Sequence, residues 1–132
     1  MSRFGLVGLI ALGALLAATS VGASSRVVRW FHSPSGNIEC EIASADARGT
    51  YAYCQTFTPL QTATLERDGH TKVCSRRACA VGNGPEGAPA LAYGRSVRVG
   101  IFRCSSALTG MRCVVVSSGH GFTIARQGVK TF

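Results

Sequence analysis

The chain has 132 residues, six of them cysteine, and sets 14 Lys and Arg against 6 Asp and Glu for a formal net charge of +8. So short a chain has room for one compact domain with a modest core and none for a second. The basic balance raises affinity for anionic surfaces, nucleic acid or cell-wall polymers without choosing among them.

The N-terminus reads as a signal peptide. Met1-Ser2-Arg3 supplies one positive charge, Phe4 to Ala18 is an unbroken apolar and small run, and Val21-Gly22-Ala23 offers a small-residue exit. We expect an N-terminal signal helix within residues 1–23, cleavage after Ala23, and a single secreted β-domain over 24–132. The apolar run is shorter than the ~20 residues of a bilayer span. Membrane attachment is therefore expected only through an uncleaved signal segment. The mature part keeps thirteen basic residues, eleven of them arginine, for a net of +7.

Beyond the signal segment no stretch has a convincing 3.6-residue period, and period-2 alternation bounded by turn residues takes over. Val27 to His32 is a strand and Ser33-Pro34-Ser35-Gly36 a turn. Asn37 to Ile42 alternates cleanly, with Ile38, Cys40 and Ile42 inward and Glu39 and Glu41 outward. A loop over Ala45 to Gly49 leads to a strand over Thr50 to Phe57. Thr62 to Arg67 and His70 to Ser75 flank Asp68-Gly69, a strong hairpin signal. Gly82 to Pro89 is a Gly/Pro-rich loop. Ser96 to Ser105, Met111 to Ser118 and Phe122 to Arg126 are the remaining strands. The fold class is all-β, a small antiparallel barrel or sandwich of about seven or eight short strands.

Six cysteines in an exported chain read as three disulfides. Pairing the strands on either side of the Ala45 to Gly49 loop sets Cys40 opposite Cys54. The Leu108-Thr109-Gly110 turn does the same for Cys104 and Cys113, and opposed residues lie at bridging distance. Cys74 and Cys79 remain for the third bridge.

Five motifs now stand in order: Phe31 to Cys40 (FHSPSGNIEC), Leu91 to Gly94 (LAYG), Gly100 to Ser106 (GIFRCSS), Gly110 to Cys113 (GMRC) and Ser118 to Arg126 (SGHGFTIAR). Together they resemble a secreted, cysteine-containing bacterial domain family of unknown function, common in actinobacteria and other high-GC bacteria. The resemblance covers about residues 29 to 132. It departs after Cys54, where longer members carry an acidic residue and a Pro/Trp-rich segment and this chain has Gln55-Thr56. It implies a secreted, disulfide-bonded domain and transfers no catalytic residue.

The chemistry-bearing residues are few. His32, His70 and His120 stand far apart, and neither CxxC nor HExxH spacing occurs, so we expect no metal and no cofactor. There is no Gly-x-Ser-x-Gly elbow, and a Ser117 or Ser118, His120, Asp46 or Asp68 triad is of a kind that most chains allow by chance. Glu39 and Glu41 share a strand face about 7 Å apart and read as solvated; Trp30 reads as core. The enzymatic alternative is a small basic hydrolase of ribonuclease type, with His32 and His120 as acid and base and Arg126 or Arg112 as the clamp. We favour a non-catalytic envelope or extracellular module that binds an anionic partner, an envelope polymer or another protein. Its expected binding set is Arg95, Arg98, Arg103, Arg112, Arg126 and His120. Aromatic interleaving is too sparse for specific nucleic-acid recognition. Gly119-His120 is expected at the centre of a tight hairpin, with His120 exposed at its tip.

Overall fold

The computed structural model describes residues 13–20, 22, 25–45, 49–76, 79 and 82–132. Most of the expected signal helix, its cleavage site at Ala23 and the candidate Asp46 lie outside these residues. Residues 13–20 are exposed and take no regular secondary structure. No helix among the described residues is long and apolar enough to cross a membrane.

Period-2 alternation produces ten strands: β1 (Val27–His32), β2 (Ile38–Ser44), β3 (Tyr51–Thr56), β4 (Gln61–Glu66), β5 (Thr71–Ser75), β6 (Ser96–Val99), β7 (Phe102–Ala107), β8 (Gly110–Val115), β9 (Gly121–Ala125) and β10 (Gly128–Thr131). They form two antiparallel meanders of five, ordered β1-β2-β3-β4-β5 and β10-β9-β8-β7-β6. The all-β expectation holds as an open two-sheet stack, not a closed barrel. Between the sheets lie Phe31, Ile42, Leu65, Phe102, Met111, Phe122 and Ile124, all essentially without solvent exposure. These side chains come from the inward positions of alternating strands, as at Ile38, Cys40 and Ile42 on β2.

Two strands exceed the sequence reading. The single strand expected over Ser96 to Ser105 is two, β6 and β7, joined at Gly100–Ile101 with Val99 paired to Phe102. Gly100 has φ +57, and a Cβ there would stand 2.8 Å from Ser44 Oγ. Glycine first in a two-residue turn suits a hairpin of this hand. The second addition, β10, pairs Gly128 with Ala125 and Lys130 with Thr123.

All three bridges form as expected: Cys40–Cys54, Cys74–Cys79 and Cys104–Cys113. The first and third join directly opposed residues, β2 to β3 and β7 to β8. They meet between the sheets, with Cys54 Sγ 3.6 Å from Cys113 Sγ. Neither sulfur carries a proton, so this is packing and not a hydrogen bond.

The Ser-Pro-Ser-Gly-Asn stretch is turn chemistry. Ser33 is buried, its N–H donates to Ile38 O at 2.8 Å, and its Oγ accepts from Ile38 N at 3.1 Å. Gly36 takes φ +75, a conformation glycine adopts without penalty. The Asn37 side chain donates Nδ2–H to Thr58 O and accepts at Oδ1 from Thr58 N, both at 3.0 Å. It thereby ties the β1–β2 turn to the β3–β4 turn. At about 1 kcal/mol per net hydrogen bond, Asn37→Ala is expected to cost ~2 kcal/mol, and Asn37→Asp, which keeps only the acceptor, less. Denaturant midpoints at unchanged slope measure this; a wild-type midpoint for Asn37→Ala contradicts it.

Candidate functional site

The second sheet turns one face to the core and the other to solvent, and strand register decides what the solvent face carries. One row across the strands is Ser96, Ser105, Arg112, Thr123 and Lys130. The next is Arg98, Arg103, Val114 and Gly121, continued by Phe132, which exchanges both backbone hydrogen bonds with Gly121. Their neighbours along each strand, such as Cys104 and Cys113, point inward and are buried. Arg98, Arg103, Arg112 and Lys130 are all exposed.

Arg98 and Arg103 are directly opposed cross-strand partners. Like charges in that position destabilise a sheet. Arg98 Nε donates to Gly100 O at 3.3 Å, and the Phe132 ring lies 4.0 Å from the Arg112 guanidinium carbon. The ring contact orients Arg112 without neutralising it. Residues 91 to 132 contain six basic side chains and no Asp or Glu. The described acids lie elsewhere: Glu39, Glu41 and Glu66 on the first sheet, Asp68 in its β4–β5 turn and Glu86 in the long loop. Among the described residues the ion pair formed is Lys72–Glu66, on the first sheet. The first sheet and its turns thus mix both signs, with Arg29, Arg67, Lys72 and Arg76 among the acids, whereas the second sheet carries bases without Asp or Glu. Beside Lys130 runs a shallow trough lined by Thr109, Thr123, Ala125, Gln127 and Gly128.

The expected binding set is divided by the fold. Arg98, Arg103 and Arg112 share the solvent face. Arg126 sits in the β9–β10 turn, in a depression shared with Ser33, Asn37, Tyr93 and Leu108. Arg95 follows the Tyr93-Gly94 turn, where its N–H donates to Ala92 O at 3.0 Å. Both stand off the face, at the sandwich end that holds the Ser-Pro-Ser-Gly turn. Lys130 and Phe132 belong to the face but were not expected there, because the sequence reading missed β10.

The histidines do not converge. His32 ends β1 beside the Ser-Pro-Ser-Gly turn, with Nδ1–H donating to Ser33 O at 2.7 Å. His120 is at the other end, against Gly69 of the β4–β5 turn. Arg126 shares the His32 end, six residues and roughly 20 Å of strand from His120. No acid–base pair across one cleft is assembled from His32 and His120. The turn around His120 is also wider than the expected two residues. Val115 N donates to His120 O at 2.9 Å and Gly119 N to Val115 O at 2.8 Å, closing a five-residue turn over Val116 to His120. His120 is exposed, as expected.

Glu39 and Glu41 lie on the solvent side of the first sheet, but they are half-buried and engaged. Tyr51 donates its hydroxyl to Glu41 at 2.9 Å, and Gly84 N donates to Glu39. Gln55 exchanges hydrogen bonds with the backbone of Gly82. Trp30 is here too, in register with Glu41 and Tyr53, half-buried under the loop at Gly84 and not in the inter-sheet core. Burial pushes the Tyr51 and Tyr53 hydroxyls above the ordinary tyrosine range, reinforced by Glu41 at Tyr51 and by Glu39 and Glu41 at Tyr53. The sulfurs of Cys40, Cys54 and Cys113 lie within 4.8 Å of one another. All three are oxidised in bridges and offer no thiolate to a metal.

Comparison of the chain with protein-family models, with curated proteins and with solved structures finds no match. The reading of the site rests on its own geometry.

Proposed function

We propose that this is an exported, non-catalytic interaction module that binds an anionic partner through the solvent face of its second sheet, in the manner of an envelope or extracellular domain. The resemblance of its motifs to a secreted bacterial family supports the exported part of this reading. The observation that carries the reading is the opposed Arg98–Arg103 pair on a face with no described acid. A pair that costs stability and neutralises nothing within the chain is suited to a charge brought from outside. Three disulfides accord with an oxidising compartment.

The test is retention on heparin. The wild-type domain is expected to bind at low salt and elute as salt screens the face. Arg98→Gln/Arg103→Gln/Arg112→Gln, three charges lighter, elutes markedly earlier, and Arg95→Gln/Arg126→Gln, two charges lighter, shifts far less per charge removed. Equal shifts per charge removed would reduce the effect to net charge, and no retention of the wild type at low salt overturns the reading. Arg98→Gln alone is also expected to raise stability by about 0.2–1 kcal/mol through relief of the opposed pair.

A further inference from the structure

We infer that the ligand of this face is a linear, base-free phosphodiester polymer laid across the strands, with Arg98, Arg103, Arg112 and Lys130 each meeting a successive region of its charge. The inference rests on the anion-binding reading above and specifies its partner.

The arrangement of the four cations argues for a chain and not a small anion. They occur on β6, β7, β8 and β10, so they advance across the sheet and do not cluster at a point. Adjacent strands are separated by ~4.8 Å, and the four strand intervals from Arg98 to Lys130 span roughly 19 Å. Arg98 and Arg103 are direct neighbours, and Arg112 lies diagonally from Arg103, roughly 7–8 Å away. The interval between Arg112 and Lys130 is filled by Thr123, in the same row as both, and opens on the trough along β9 and β10. A single phosphate reaches the Arg98–Arg103 pair and leaves Lys130 idle; an extended polyanion engages all four.

Two features select its chemistry. Three of the four cations are arginine, whose planar fork pairs bidentately with phosphate oxygens. A nucleic acid would further require flat aromatic faces on which bases stack. The one described aromatic side chain on this face is Phe132, and its ring is occupied by Arg112. Thr123, Ser105 and Ser96 supply the small hydroxylated surface that a polyol-phosphate backbone needs, and Ser96 and Ser105 already hydrogen-bond to each other at 2.8 Å.

The experiment titrates the oxidised mature domain with glycerol-phosphate oligomers of one, two, four and eight units, and with a thymidine octanucleotide, at several salt concentrations. Affinity is expected to rise steeply up to about four units. For the octamer, log K should fall with log salt at a slope near −2.8, from about −0.7 per contacted phosphate. Arg103→Gln and Lys130→Gln should each weaken octamer binding several-fold and bring the slope about 0.7 closer to zero, while Arg126→Gln leaves both unchanged. Length-independent binding, or an unchanged slope in Lys130→Gln, overturns the linear arrangement. Tighter binding of the octanucleotide than of the glycerol-phosphate octamer overturns the base-free assignment. In either case retention on heparin persists, so the anion-binding reading stands; loss of binding to every anion removes both.

Discussion

Replacing Gly121 by alanine is expected to destabilise the domain by roughly 3–5 kcal/mol, the range of severe backbone or core disruption, whereas replacing His120 by alanine changes stability by no more than about 0.5 kcal/mol. A Cβ built on Gly121 stands 1.9 Å from the backbone oxygen of Cys113 and 2.9 Å from Val114 Cα. Those atoms belong to β8, the strand that carries one half of a core disulfide, so neither can yield by rotating a side chain. Gly119 makes the control. A Cβ there meets nothing within 4 Å, but φ is +75, so Gly119→Ala carries only the left-handed penalty of roughly 1–2 kcal/mol. The Gly-His-Gly stretch thus owes its glycines to two distinct causes, and neither involves the imidazole. Denaturant unfolding of the three single variants tests the order Gly121→Ala, then Gly119→Ala, then His120→Ala. A His120→Ala loss as large as that of Gly121→Ala would instead make the ring a structural element.

The same stretch shows how far a sequence carries and where it stops. Alternation identified β2 by its clean inward set, Ile38, Cys40 and Ile42, while β4 and β5 were legible from the Asp68-Gly69 hairpin signal between them. It also fixed two disulfides, since opposed inward cysteines follow once the hairpins are drawn. It failed within Ser96 to Ser105, where the residues on either side of Gly100 read as one continuous strand. The signal there was a slip of phase: Val97 and Val99 point inward, then Phe102 and Cys104, with the step at Gly100–Ile101. A one-residue slip exchanges the faces of a strand. On an unbroken strand Arg98 and Arg103 would fall on opposite faces; the hairpin brings them together. The binding face was therefore illegible until that turn was known. β10 escaped because its four residues place little in the core and its Arg126–Gln127 turn lacks the Asn-Gly or Asp-Gly signature of tight hairpins. Without it, Lys130 and Phe132 had no face to belong to. Trp30 and Glu39 differ from the sequence reading for another reason: the Gly82–Gly84 loop returns across the first sheet, a long-range contact with no local signal.

Charge and core are organised on the same plan. The sheet that carries the basic face is braced from inside by Cys104–Cys113, and the sheet that carries the acids by Cys40–Cys54. The two bridges touch where the sheets meet. Repulsion on the outer face, concentrated at Arg98 and Arg103, acts on β6 and β7, and β7 is covalently held to β8. The bridge does not span β6–β7; it fixes β7 against β8, and β6 is held beside the opposed charge by its own backbone pairing to β7.

Removing that bridge as Cys104→Ala/Cys113→Ala is expected to lower stability by roughly 3–5 kcal/mol, while Cys74→Ala/Cys79→Ala costs about 2 kcal/mol. Loop-closure entropy does not produce the difference. The bridges close spans of nine and five residues, and chain entropy values both at roughly 2–3 kcal/mol. Burial does. Cys104 and Cys113 are wholly excluded from solvent, and Cys113 packs on Cys54, so truncation adds a cavity beside the other bridge. Cavities of this kind carry a penalty beyond the lost transfer free energy. Cys74 and Cys79 are half-exposed at the sheet edge and leave no enclosed void. Against a total stability of about 5–15 kcal/mol for a domain, one core bridge is a large share, and the loss should show as a much lower guanidinium midpoint. Because the two core bridges share a contact, removing both should not equal the sum of removing each; coupling of about 0.5–3 kcal/mol is usual for touching groups. Equal losses for the core and edge bridges, or strict additivity of the two core bridges, would show that the sulfur contact between the sheets contributes nothing beyond its covalent loops.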